Sequence, residues 1–158
     1  MWLFRKNRIS KRQLRAFADF VSKEGMLSIQ ENSKEFPALQ KEEIYYIIFQ
    51  VRDETPELLQ RCLSVALEIV LNHGGTVENI MSSVVSVIFK PTEDQLESAM
   101  AALLSSLGPN IRAVHGHGEY LRGVFGSQKR FSYGTIFPNF HGILQLLFQL
   151  DFGSSKNV

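Results

Sequence analysis

The stretch that decides the fold runs His73-Gly74-Gly75-Thr76-Val77-Glu78-Asn79-Ile80-Met81-Ser82-Ser83-Val84-Val85-Ser86-Val87-Ile88-Phe89. Its first three residues read as a helix stop, since glycine takes the left-handed backbone that ends helices. Thr76–Met81 and Val84–Phe89 are short runs of extended character. The two small residues between them, Ser82 and Ser83, predict a tight antiparallel hairpin, although it lacks the glycine that such turns prefer.

Upstream, Thr55-Pro56-Glu57 opens a helix with a capping hydroxyl, a proline at the first position and an acid near the positive dipole end. Leu58, Leu59, Cys62, Leu63, Ala66, Ile69 and Val70 then recur at helical spacing. Cys62 lies on that stripe and reads as core filler, with no charged partner to make it a nucleophile. Ile44–Val51 is β-branched and aromatic on both faces, the pattern of a central strand.

Downstream, Pro91-Thr92 precedes a second helix with Glu93 and Asp94 in its first turn. Leu96, Ala99, Met100, Leu103 and Leu104 form its buried face, and Gly108-Pro109 ends it. Ile111–Val114 and Glu119–Phe125 are read as two further strands. After Gly126-Ser127 the chain passes through Tyr133–Phe137, and Pro138 opens a last apolar helix through Leu150. Near the start, Ser10 caps a helix to about Glu24, and residues 25–42 read as a linker. The order predicts an α+β fold: a ferredoxin-like βαββαβ sheet with helices packed on one face, preceded by an N-terminal helix.

Composition agrees with one folded domain. The chain has 158 residues, 44% hydrophobic and 21% charged, which excludes a disordered class. No apolar run approaches the roughly 20 residues of a membrane span. One cysteine makes no internal disulfide and no thiolate zinc site. Met1-Trp2-Leu3-Phe4 is too short before Arg5 for a signal peptide, so a cytoplasmic protein is expected. The formal charge of +1 conceals an uneven distribution. Arg5, Lys6, Arg8, Lys11, Arg12 and Arg15 form a basic arm without an acid; the other 143 residues hold 11 basic and 16 acidic side chains, net −5. Such an arm suits phosphate, an anionic membrane surface or an acidic partner, or simply a solvated helix start.

The decisive stretch resembles the class III adenylate/guanylate cyclase catalytic domain, the cyclase homology domain, whose pattern there is H-G-G-T-V-x-K-x-x-G-D-x-x-x-A-x-F. Gly118-Glu119 and Gly123-Val124-Phe125-Gly126-Ser127-Gln128-Lys129-Arg130-Phe131-Ser132-Tyr133 likewise resemble the family's G-E…G-x-x-G-S-x-x-R-x-x-Y run. The resemblance covers about residues 44–150. It implies a domain over 43–152, preceded by the arm, helix and linker of 1–42 and followed by a tail over 153–158. The family's terminal strands are expected to be absent or replaced.

What the resemblance implies about chemistry lies in the departures. Active relatives hold two magnesium ions on two aspartates. The first position falls at Gln50 or Val51, after Phe49, and the second at Ser83; a hydroxyl is no substitute for a carboxylate toward a hard cation. The two base-recognising positions fall at Asn79 and Pro138. The asparagine and arginine that steady the transition state correspond to His141 and Gln145, and Gln145 carries no charge for developing phosphate charge. The expectation is a non-enzymatic module without a cofactor, acting in signalling or regulation through homodimerisation or a protein partner.

Three other sets of residues carry alternative readings. His115, His117 and Glu119 share one strand face, a ligand set that zinc or iron could use, against the plainer reading of a polar strand side. Ser127, Lys129 and Arg130 could form a phosphate loop, making the protein a nucleotide sensor that does not turn its ligand over. Finally, a ferredoxin-like sheet with a basic arm could bind nucleic acid through Tyr45, Tyr46 and Phe49, although these aromatics read as core and the domain is acidic.

Overall fold

The computed structural model describes residues 39–90, 93–126 and 131–158, with the side chains of 124–126 and 131–133 left aside. The basic arm, the N-terminal helix, the Pro91-Thr92 cap and the loop with Ser127, Lys129 and Arg130 lie outside the described residues. The described residues divide into two compact units: Glu43–Gly118 with Pro138–Val158, and Glu119–Phe137 with residues 39–42.

The larger unit is built around β1 (Gln40–Val51), which contributes residues to both units. A helix α1 (Pro56–Asn72) follows, then the hairpin of β2 (Gly75–Met81) and β3 (Val84–Phe89), and a second helix α2 (Glu93–Leu107). After a 3-10 turn over Gly108–Asn110 comes β4 (Ile111–Gly126). Past β5 (Phe131–Ile136), the helix α3 (Phe140–Gln149) and a short β6 (Ser155–Asn157) complete the chain. The sheet order β2-β3-β1-β4 inserts β3 between β1 and β2, the split β-α-β arrangement expected from the element order. β3 is antiparallel to both neighbours, with Ile47 opposite Val87 and Val77 opposite Val87.

Local chemistry fixes these elements. Thr55 Oγ1 accepts from the Leu58 amide at 3.1 Å, so the hydroxyl fills one of the amides that a helix start leaves unpaired. At the other end Gly74 has φ +79°, a conformation in which a β-carbon would be strained. Cys62, Ala66 and Val70 form the buried stripe of α1, and Leu96, Ala99, Met100, Leu103 and Leu107 that of α2. Both helices pack on Ile47, Phe49, Val51, Val77, Val85, Val87, Phe89, Ile111 and Ala113, which alternate onto one face of the sheet. Cys62 is thus a core residue, as its place on the stripe predicts. Ile44, Tyr46, Ile48, Ile88 and Val114, on the other face, are buried as well. β1 is therefore apolar on both sides because both sides are covered.

Three boundaries differ from expectation. Ile111–Val114 and Glu119–Phe125 are one strand, not two. The His115-Gly116-His117-Gly118 interval looks like a break because its glycines interrupt the apolar pattern, yet Gly116 sits where Tyr46 comes too close for any side chain. The last residues are not a tail: Ser155–Asn157 pair in parallel with Ala113–His115, and the Val158 amide donates to the His115 carbonyl at 2.9 Å. β1 also starts at Gln40, inside the stretch read as linker.

In the smaller unit the far half of β4 pairs with β5, Leu121 opposite Ile136 and Gly123 opposite Gly134. Arg122 is 2% exposed there, Lys41 pairs with Glu119 at 3.2 Å, and the Tyr120 and Phe137 rings meet at 5.1 Å.

Candidate functional site

At the end of β1 two of the predicted positions meet. Gln50 and Val51 are neighbours, so the pleat sends them to opposite faces. Val51 turns into the α1/α2 core and is fully buried. Gln50 turns the other way, and its Nε2 donates to Ser83 Oγ at 3.2 Å. The Val51 amide donates to the Ser83 carbonyl at 3.0 Å, which fixes the hairpin turn against the strand. Ser83 is 4% exposed, and Ser82 beside it holds φ +57°, unusual for a residue with a side chain. The missing turn glycine is therefore replaced by strained backbone at Ser82.

A third residue completes the cluster. Arg112, the second residue of β4, donates from Nε and Nη2 to Gln50 Oε1 at 2.9 and 2.6 Å. Its Nη1 donates to the carbonyls of Phe148 and Leu150 at 3.0 and 2.8 Å, two acceptors that the end of α3 leaves open. Arg112 alternates with Ile111 and Ala113 of the α1/α2 core, so these bonds hold the end of α3 on the opposite face of the sheet. Its guanidinium carbon lies 4.6 Å from the Phe152 ring centre, and that of Arg52 lies 4.4 Å from the same ring. Arg52 in turn donates to the Pro109 carbonyl and to Glu54 at 2.9 and 2.8 Å.

Electrostatically the cluster is already occupied by positive charge. Desolvation and then the Arg52 charge lower the pKa of Arg112, while Asp151 and Asp53 act in the opposite sense. A guanidinium starts so far above neutrality that it stays charged. The ligand atoms present are an amide oxygen accepting two N–H bonds and a serine hydroxyl. This set does not suit a hard divalent cation, which takes carboxylates and would compete with the guanidinium for Gln50 Oε1. Among the described residues no group of three or more His, Cys, Asp or Glu is arranged to hold a metal.

No protein-family model matches the chain, and no curated protein sequence does. Solved structures do. A bacterial light-regulated adenylyl cyclase superposes with a TM-score of 0.65 at 13% identity, over 87% of this chain and 49% of its own. The adenylyl cyclase CyaB from P. aeruginosa gives 0.58 at 18% identity, over 75% and 78%. The guanylate cyclase domain of RhGC from Catenaria anguillulae, in complex with GTP, gives 0.58 at 9% identity, over 73% and 78%. The chain has the nucleotidyl cyclase fold. It spans about half the length of the light-regulated enzyme.

Within the cyclase fold the other predicted positions are placed apart from the Gln50 cluster's bonds. Asn79 is exposed on β2, at an irregularity in its pairing with β3. Pro138 is exposed before α3, and His141 and Gln145 lie on the helix face away from the buried Ile143 and Leu147. The histidines of β4 have other work. His117 Nε2 meets Glu43 Oε1 at 2.6 Å and its ring stacks on Tyr45, with centres 4.1 Å apart. His115 is half-buried, and desolvation lowers its pKa against the opposing effect of Glu97. Glu119 is engaged by Lys41. Tyr46 and Phe49 are buried, at 3% and 0% exposure, so they offer no platform for bases. No helix among the described residues is long and apolar enough to cross a membrane.

Sequence reading singles out Gln50 and Ser83 but misses Arg112, Arg52 and Phe152. A signal for Arg112 exists: Gln50 and Arg112 are polar interruptions in otherwise apolar strand runs, and such interruptions in a sheet interior need each other.

Proposed function

We propose that this chain is a catalytically inactive cyclase-fold module, cytoplasmic, that works in signalling or regulation by pairing with a second copy or a protein partner. The observation that carries this reading is the Gln50–Ser83–Arg112 cluster. Where the sequence pattern of active relatives calls for two metal-binding carboxylates, the candidates are a buried Val51, a neutral Gln50 and the hydroxyl of Ser83, and a guanidinium is bonded to the glutamine. A nucleotide triphosphate would then arrive without the cations that neutralise it and activate the attacking hydroxyl. Gln145, in place of a transition-state arginine, adds no positive charge.

The retained parts of the pattern have structural uses. Gly74 ends α1 and Gly75 lies under Val87 and Phe89 with no room for a β-carbon. A scaffold kept this complete without its chemistry supports an interaction role. Soluble homo-oligomers are most often two-fold pairs, so self-pairing is expected to give a homodimer. Light scattering after size exclusion tests the pairing, run with and without ATP, GTP and magnesium. A dimer whose mass does not depend on nucleotide is expected. A monomer at high concentration with no partner recovered, or formation of cyclic nucleotide, would contradict the proposal.

A further inference from the structure

We infer that Arg112 is a built-in cation: its guanidinium ties the end of β1, the hairpin turn and the end of α3 together, and so closes this junction to free divalent cations. The inference rests on reading Gln50 and Ser83 as replaced metal positions, and it concerns what replaced the metal, not whether catalysis is lost.

The geometry is that of a bridging charge. Four N–H···O contacts leave the guanidinium, two to Gln50 Oε1 and one each to the Phe148 and Leu150 carbonyls. They join β4 directly to the end of β1 and to the end of α3, segments far apart in sequence, as a metal with several ligands would. The rigid planar fork makes all four contacts in fixed directions, whereas an ammonium has only three donors and no fork to pair two of them on one oxygen. The amide of Gln50 is oriented by the same contacts. Its oxygen must face the guanidinium and its NH2 must face Ser83 Oγ, because the flipped amide would set donors against donors. Ser83 is therefore held through Gln50, and the hairpin turn is coupled to Arg112 without touching it. Phe152 lies against the guanidinium, a cation–π contact that shields it from water. A cation arriving at Gln50 Oε1 would have to displace two N–H donors and sit beside a fixed positive charge.

The test uses manganese as the probe, with titration calorimetry for binding and thermal unfolding for stability. Arg112→Lys keeps the charge but not the fork, so Tm is expected to fall and Arg112→Met to fall further. Gln50→Glu replaces the neutral acceptor facing the guanidinium with a carboxylate, and Tm is expected to rise by about 2–4 °C. The double variant Gln50→Glu with Ser83→Asp restores two carboxylates. With Arg112 present it is expected to bind no manganese, and adding Arg112→Met is expected to create manganese binding and a manganese-dependent Tm. Manganese bound by the double variant as tightly as by the triple would overturn the inference. So would an unchanged Tm in Arg112→Lys. If the Met variants do not fold, Gln50→Glu and Arg112→Lys decide alone, and a fall of Tm in Gln50→Glu would overturn it. Cyclic nucleotide made by the wild-type chain would sink the proposed function instead, a readout separate from these.

Discussion

Replacing Gly116 by alanine probes how β4 accommodates its neighbours. A β-carbon there would lie 2.6 Å from the Tyr46 hydroxyl and 2.8 Å from the Val158 carbonyl, both closer than real contacts allow. Tyr46 is 3% exposed and set between packed strands, whereas Val158 is 42% exposed at the edge of β6. The C-terminal strand should therefore yield first. Overpacking of this kind costs about 1–3 kcal/mol. At about 2–4 °C per kcal/mol for a chain of this size, the midpoint of thermal unfolding should fall by about 4–8 °C for a cost near the middle of that range. The Val158 amide, bonded to the His115 carbonyl at 2.9 Å, should lose its hydrogen-exchange protection. The Ala113 amide, bonded to Ser154 at 3.1 Å, should keep more of its own. Unchanged protection at Val158 together with a Tm within about 1 °C of wild type would refute the reasoning.

Other substitutions separate the remaining contacts. Thr55→Ala removes the hydroxyl that accepts from Leu58, and chemical denaturation should show a loss of about 1 kcal/mol. Phe152→Ala takes away the ring under both guanidinium groups; a loss of about 1–2 kcal/mol is expected, smaller in the Arg52→Ala background. His115 has a pKa lowered chiefly by burial, so the unfolded chain takes up the proton first as pH falls below about 6.5. Its contribution to stability is therefore lost between that value and the lower folded-state pKa, then levels off. His115→Gln should show a shallower fall in Tm than wild type between about pH 7 and pH 5.5, and parallel curves would count against the assignment.

Much of the fold was legible because local chemistry and global packing agree. The Thr55-Pro56-Glu57 opening, the α1 stripe and the Ser82-Ser83 turn each appear where periodicity puts them. β4 looks like two strands in the sequence because Gly116 serves a neighbour in space, Tyr46, that no local pattern reveals. β6 has only three paired residues of polar character, so nothing in Ser155-Lys156-Asn157 announces a strand; its backbone pairing with β4 does the work. The candidate site was legible in part. Gln50 and Ser83 stand out through resemblance to a family pattern, and the structure brings them to 3.2 Å. Arg112 shows in the sequence only as a polar interruption of an apolar run, and nothing local names its partners, which lie 62 residues away at Gln50 and 38 away at Leu150.

The claim of an inert scaffold is tested most directly by incubating the purified chain with ATP or GTP and excess manganese and measuring cyclic nucleotide. The reading predicts no product above that of the Ser83→Ala variant or of buffer alone. Product that scales with protein concentration would contradict it, whatever the arrangement of Gln50, Ser83 and Arg112.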